Sequence, residues 1–220
     1  MEDYELPEGH VLVLRSTKAD RHSHNNFLWP EFGKVACDDW SPVQQCGNGL
    51  HGLLWGQGNC CLLVLDEDAI FQVVAVEESL IVDLRNKVKF PSGEVIFSGD
   101  RLEAAKIIAQ YAPAGLAIPF ATATAGDSGT ATAGDSGTAT AGDSGTATAG
   151  DRGTATAGDR GTATAGYRGT ATAGEDGCIA IQRWNGKRYK WHFADVDGET
   201  VRPNVPYRLN EEGEFVEVTQ

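Results

Sequence analysis

Cys46-Gly47-Asn48-Gly49-Leu50-His51 places a thiol and an imidazole five residues apart on a glycine-rich stretch. A thiol beside an imidazole can serve as a nucleophile with its base, and an imidazole alone can hold a ligand or move a proton near neutral pH. Nothing in the sequence supplies a third group to orient the base. The plainer expectation is a tight turn in which the glycines set the backbone and His51 bonds to it. No catalytic residue is therefore assigned; Cys46 and His51 are the two candidates.

A zinc site would have to draw on His22, His24, Cys37, Cys46, His51, Cys60 and Cys61. Zinc sites favour spacings such as C-x₂-C or H-x₃₋₅-H. His22-x-His24 and the adjacent Cys60-Cys61 match neither. Core thiols and surface imidazoles are expected, with no metal and no cofactor.

Residues 121–177 offer a different chemistry, that of a periodic surface. Thr-Ala-Thr-Ala-Gly-x-x-Gly recurs without interruption, and seven Thr-Ala-Thr-Ala blocks begin at Thr122, Thr130, Thr138, Thr146, Thr154, Thr162 and Thr170. Four residues alternating with period two make a short strand, and Gly-Asp-Ser-Gly makes a corner in which Gly takes positive φ. Strict repetition at a short period reads as a stacked array. Eight residues enclose no core, so two octads form one coil of about sixteen residues rising roughly 4.8 Å. Either Thr or Ala faces inward. Buried hydroxyls would need partners, so Ala belongs inside. In the same register Ile179 and Ile181 take the Ala positions of Cys178-Ile179-Ala180-Ile181 and can plug the end of the stack.

The outer faces are then rows of Thr-x-Thr, with the two hydroxyls of a pair about 6.8 Å apart. The candidate binding surface comprises Thr122, Thr124, Thr130, Thr132, Thr138, Thr140, Thr146, Thr148, Thr154, Thr156, Thr162, Thr164, Thr170 and Thr172. Asp127, Asp143 and Asp159 stack at one corner, and Asp135 and Asp151 at the other. Stacked carboxylates repel, and Arg152, Arg160 and Arg168 are expected to balance them by surface pairing. One acid per corner offers too few oxygens for calcium.

Two resemblances follow from these residues. The order of parts resembles an uncharacterised family of bacterial and phage-associated proteins. These carry a Cys-x-x-Gly-Leu/Phe-His motif, Gly/Ala/Thr octads and a short C-terminal β unit; Cys46 to His51, residues 121–177 and a tail ending Gly213-Glu214-Phe215-Val216-Glu217-Val218 correspond. It implies no activity. Locally, Ala165-Gly166-Tyr167-Arg168-Gly169-Thr170-Ala171-Thr172-Ala173-Gly174-Glu175-Asp176 looks like a coil of the bacterial ice-nucleation proteins, with Thr170-Ala171-Thr172 as the Thr-x-Thr. Those proteins have tens of coils and a ladder of Tyr, whereas Tyr167 stands alone in this array. That resemblance implies an ordered-water or ice-binding face.

The elements around the repeat complete the architecture. Residues 1–120 read as a small α+β head of perhaps five strands. Its persuasive helix starts at Asp100 with Glu103 as a capping-box partner, shows Leu102, Ala105, Ile108 and Ala109 on one face, and ends at Tyr111-Ala112-Pro113. Residues 37–60 read as loops, and Ser79 to Leu84 as a strand. Residues 121–181 form the thin β-solenoid. Residues 182–220 form a β cap, with a hairpin turning at Asn185-Gly186 in a type I′ turn.

The chain carries a net charge of −13 over 220 residues, and head, repeat and tail are each acidic on balance. Phosphate neutralisation is excluded as a binding mode, so no nucleic-acid partner is expected. Met1-Glu2-Asp3-Tyr4-Glu5 is acidic where a leader is basic, and no apolar run reaches the ~20 residues of a membrane span. With five cysteines, these features lead to an expectation of reduced thiols in the cytoplasm and no membrane partner. Flat Thr faces allow a homodimer. The leading expectation is a non-enzymatic protein using the solenoid as a spacer or interaction platform. The alternatives are ice or ordered-surface binding through the Thr rows, and an enzyme in the head around His51.

Overall fold

Val11, Leu12, Val13 and Leu14 put apolar side chains on both sides of one strand, as a strand covered on two faces requires. In the computed structural model, which describes residues 4–23 and 26–219, these residues lie at the centre of a sheet. Met1–Asp3, His24 and Asn25, and Gln220 lie outside the described residues. The chain divides into two compact units, 1–116 and 117–220.

The first unit contains β1 (His10–Thr17), β2 (Gly33–Ala36), β3 (Leu50–Leu54), β4 (Ile70–Glu77), β5 (Val82–Asp83), β6 (Val88–Phe90) and β7 (Ser92–Gly99), followed by α1 (Arg101–Tyr111). The strands form one sheet in the order β2-β7-β4-β1-β3-β6-β5. Every neighbouring pair is antiparallel. One face packs on α1, which lies against β4, β1 and β7. The other carries a core of Val13, Val74, Val76, Phe90 and Val95 with Trp29 and Val35. The α+β class holds, with seven strands in place of five.

Several local expectations are corrected. The stretch 37–60 is not all loop, because Leu50–Leu54 pairs with both β1 and β6. Gly52 permits this: a Cβ there would meet Leu14 O of β1 at 2.9 Å. Ser79 to Leu84 shortens to a 3₁₀ turn, Glu78–Leu80, and the two-residue β5. Asp100 does cap α1, its Oδ1 accepting from Leu102 N and Glu103 N at 3.0 Å each. Glu103 does not return the bond; its carboxylate takes Lys106 at 3.2 Å. The buried face is Ala104, Ala105, Ile107 and Ile108, and Leu102 is 56% exposed.

The second unit is the solenoid and its ends. β8 (Thr122–Thr124), β10 (Thr138–Ala141), β12 (Thr154–Ala157) and β14 (Thr170–Thr172) stack as one parallel sheet. β9 (Thr130–Ala133), β11 (Thr146–Ala149), β13 (Thr162–Ala165) and β15 (Cys178–Trp184) stack as the other. Thr138 pairs with Thr122 and Thr154, so the repeat of the coil is sixteen residues, two octads. Ala131, Ala139, Ala147, Ala155, Ala163 and Ala171 are each 2% exposed or less, and form a core one methyl deep between the sheets. Ile179 and Ile181 pair with Ala163 and Ala165 and are fully buried, continuing that core with larger side chains.

β16 (Tyr189–Asp195) then runs antiparallel along β15, and β17 (Tyr207–Leu209) pairs β14 through Ala171 and Tyr207 before β18 (Phe215–Glu217) closes on β17. Both solenoid sheets are thus covered at this end by antiparallel strands. The hairpin turn is displaced by one residue from the Asn185-Gly186 expectation. Asn185 N donates to Arg188 O at 3.1 Å, leaving Gly186 and Lys187 as the central pair with Gly186 at φ +90°. The Asn185 side chain accepts from Lys187 N and Arg188 N, so it braces the turn from its first position.

Candidate functional site

Period-two alternation with Ala inside puts every Thr of the repeat on an outer face. On the first sheet these are Thr122/Thr124, Thr138/Thr140, Thr154/Thr156 and Thr170/Thr172, held in register from coil to coil. On the second they are Thr130/Thr132, Thr146/Thr148 and Thr162/Thr164, and Cys178 and Ala180 take the next rung. Thr122, Thr124, Thr130, Thr132, Thr138 and Thr154 are exposed, and the other eight are partly buried. Among the described residues, none of their hydroxyls has a hydrogen-bond partner within the protein. Each face is a lattice of hydroxyls and methyls about 6.6 Å apart along the strand and about 4.8 Å apart between coils.

The corners fix that lattice. Asp127 Oδ1 accepts from Asp143 N at 3.2 Å, Asp143 from Asp159 N at 3.1 Å, and Asp159 from Glu175 N at 2.9 Å. On the other corner Asp135 accepts from Asp151 N at 3.0 Å and Asp151 from Tyr167 N at 2.8 Å. The stacked acids are therefore spent on the backbone of the next coil. The expected pairing with arginine is met in part: among the described residues Arg152, Arg160 and Arg168 form no contact ion pair, but the Arg152 charge acts to lower the Asp135 carboxyl, and the Arg168 guanidinium lies 5.1 Å from the Tyr167 ring centroid. Burial, the largest cause, raises the Asp135 carboxyl above the ordinary value, partly opposed by its bond to the Asp151 amide.

Positive φ also falls elsewhere than expected. Ser128, Ser136, Ser144, Arg152, Arg160, Arg168 and Asp176 take φ of 54–60°, while the corner glycines do not. Those glycines are required by contact. A Cβ on Gly145 would lie 2.8 Å from the Ala141 Cβ and 3.0 Å from Gly129 O of the coil before.

At the C-terminal end Tyr207 is 2% exposed and packs into the Ala core with Val196 and Val201. Its hydroxyl accepts from Arg202 N at 2.9 Å and donates to Glu217 Oε1 at 3.1 Å. Arg202 forks onto Glu217 at 2.9 and 2.6 Å, which lowers the Glu217 carboxyl and raises the guanidinium. The aromatic residues of the hairpin do not fill the end. Trp184, Tyr189, Trp191 and Phe193 stay 43–69% exposed, with Tyr189 edge-on to both Trp184 and Tyr167.

In the head, His51 sits on β3 opposite Lys89 of β6. Its imidazole is pushed down to about 4, first by burial and then by the Lys87 and Lys89 charges. Its Nε2 is buried and has no hydrogen-bond partner. Cys46 Sγ meets Lys87 Nζ at 3.1 Å. Lys87 thus acts on both candidates: its charge helps keep the half-buried His51 imidazole neutral, while its ammonium meets the exposed Cys46 thiol directly. Among the described residues, no three His, Cys, Asp or Glu groups converge as metal ligands. His24 lies outside the described residues. Also among the described residues, no helix is long and apolar enough to cross a membrane.

With the coil geometry in hand, similarity to known proteins falls on about half of the chain. It is 34% identical over 108 residues to the ice nucleation protein InaA of Pantoea ananas, 40% over 96 residues to one of Pseudomonas fluorescens, and 37% over 100 residues to one of Pseudomonas syringae. The relatives are ice nucleation proteins. The matched stretch covers 43–48% of this chain and 8% of each of those three. No protein-family model and no solved structure matches the chain. The resemblance seen in Thr170-Ala171-Thr172 therefore extends over a long stretch, on a β-solenoid of about four coils.

This likeness corrects the cytoplasmic expectation. The ice nucleation proteins are surface proteins anchored at the outer membrane. Free thiols and an acidic first stretch do not fix a compartment, because neither feature is incompatible with display at a surface.

Proposed function

We propose that this protein binds ice, or water ordered as in ice, through the Thr-x-Thr rows of its solenoid. The observation that carries the reading is the set of fourteen Thr hydroxyls in coil-to-coil register with no partner among the described residues, in a chain similar to ice nucleation proteins. Each hydroxyl can anchor a water, and the methyl beside it makes that water bond to its neighbours. The Ala core and the Asp ladders hold the rows rigid before water arrives, so little ordering cost falls on binding.

The likeness to ice nucleation proteins favours this reading over a spacer or platform. It also bounds the activity by size. Seven octads make three and a half coils and a face roughly 17 Å tall, and the matched stretch spans 8% of the relatives named above. A patch of that height engages ice already present better than it templates a nucleus.

The test is ice-shaping microscopy with thermal hysteresis on the intact chain and on a variant changed on both faces, Thr140→Lys/Thr156→Lys with Thr148→Lys/Thr164→Lys. Faceted crystals and a hysteresis gap are expected from the parent, and their loss from the variant with an unchanged far-UV spectrum. Round crystals and no gap from the folded parent would remove the proposal.

A further inference from the structure

Cys46 is free and exposed, and the solenoid reading makes no use of it. It lines an open cavity of about 410 Å³ together with Gln44, Gln45, Arg85, Asn86 and Lys87. Lys87 Nζ donates to its sulfur at 3.1 Å. Among the described residues, no carboxylate lines this cavity. Among the described residues, neither Arg85 nor Lys87 has an acid within ion-pair distance, and Asp83 beside them is turned to the Arg85 backbone N–H at 2.7 Å. Lys89 is buried and turns its ammonium to Gly47 O at 3.3 Å, so Arg85 and Lys87 are the two cations that line the cavity. In a chain of net charge −13 this is a local reversal of sign. Concave positive sites of this kind concentrate anions from solution.

We propose that Cys46 is a modification site, forming mixed disulfides selectively with low-molecular-mass disulfides that carry a carboxylate. Arg85 and Lys87 hold the carboxylate while the Cys46 thiolate attacks the nearer sulfur of the incoming disulfide. The bond from Cys46 Sγ to that sulfur forms and the incoming S–S bond breaks. The electron pair leaves on the released thiolate, and the Cys46 proton goes to solvent. Cys46 sulfur is oxidised and the departing sulfur is reduced, with no further oxidant. The negative charge of the three-sulfur transition state builds 3.1 Å from the Lys87 ammonium. Gln44 and Gln45 add polar groups at the cavity wall, and the Gln44 amide is fixed to Asp83 O at 2.7 Å.

A second thiol beside the same cavity, next to its lining residue Leu62, gives the comparison: it lacks the direct Lys87 contact. Cys61 is also free and exposed, its backbone N–H bonded to the Asn59 side chain, and among the described residues no cation meets its sulfur. The experiment treats the full chain with the dianion 5,5′-dithiobis(2-nitrobenzoate) or with neutral 2,2′-dithiodipyridine, and reads each cysteine by peptide mass spectrometry. Cys46 is expected to react with the anionic reagent about tenfold faster than Cys61, and with the neutral reagent at a similar rate. One molar salt should remove most of the difference. Lys87→Met should abolish it and Lys87→Arg should restore much of it. Equal rates at Cys46 and Cys61 with the dianion overturn the proposal, as does a preference that survives Lys87→Met.

Discussion

Asp159 Oδ1 accepts the backbone N–H of Glu175 at 2.9 Å, sixteen residues further along the chain and one coil higher in the stack. The same bond links Asp127 to Asp143 and Asp143 to Asp159. A carboxylate that would repel its neighbour across a coil is instead an acceptor for that neighbour's amide. The corner gains a hydrogen bond to a charged group at each step, which partly offsets the repulsion.

Asp143 is the residue to change first, because it stands in the middle of its ladder. Asp143→Ala leaves Asp159 N without its acceptor and should cost about 1 kcal/mol. Asp143→Asn keeps an Oδ1 acceptor and should cost less than half as much. Urea unfolding followed by circular dichroism reads both. No calcium is needed for this bonding, so a chelator should leave the unfolding midpoint where it was; a drop would return the ladders to metal binding.

Ala155 is fully buried between the two sheets, where the core is one methyl deep. Ala155→Val adds two methyls with no room to accept them, and should destabilise the solenoid by about 1–3 kcal/mol. Thr154→Val on the adjoining outer position should cost little and can serve as the matched control. Equal losses from the two would mean that the inward and outward faces are not distinguished as described.

His51 predicts a pH dependence in the head. Its folded value is about 4 against an ordinary 6.5, because burial and two nearby lysines disfavour the imidazolium. A His lowered in this way costs nothing above pH 6.5. As pH falls from 6.5 toward 4, the unfolded chain takes up the proton first and the head loses stability, by roughly 2 kcal/mol once the screening of a half-exposed ring is allowed for. The imidazole C2–H resonance in the folded protein should titrate near 4, and His51→Gln should flatten this part of the stability profile. A midpoint near 6.5 would show the ring to be solvated.

The solenoid was legible in the sequence because its code is local. Thr-Ala alternation fixes which face is buried, and Ile179 and Ile181 at Ala positions reveal that face without a structure. What escaped depends on neighbours a coil or a strand away. The corner glycines answer to contact instead: a Cβ on Gly142 would lie 2.8 Å from Asp127 N of the coil before, while the positive φ falls on Ser128 and its equivalents. His51 reads as loop because Leu50-His51-Gly52-Leu53-Leu54 lacks alternation. It is a strand because Gly52 passes close to Leu14 of β1. The Lys87 contact with Cys46 joins residues 41 apart in sequence, and no spacing rule announces it.

Tyr207 closes the stack, and its removal tests the cap as a barrier to growth. The hydroxyl bridges Arg202 N and Glu217, and the ring fills the end of the Ala core beside Ala171. Tyr207→Phe keeps the ring and should cost about 1 kcal/mol for the lost hydrogen bonds. Tyr207→Ala should cost about 3 kcal/mol and loosen β17 from β14, baring the edge of that sheet. A bare parallel edge with in-register Thr-Ala-Thr strands is a template for a second copy. Light scattering should then show a mass that rises with concentration for Tyr207→Ala, in contrast to Tyr207→Phe. If both variants keep the parent's mass at every concentration while Tyr207→Ala is destabilised as stated, the cap stabilises the coil without guarding its edge.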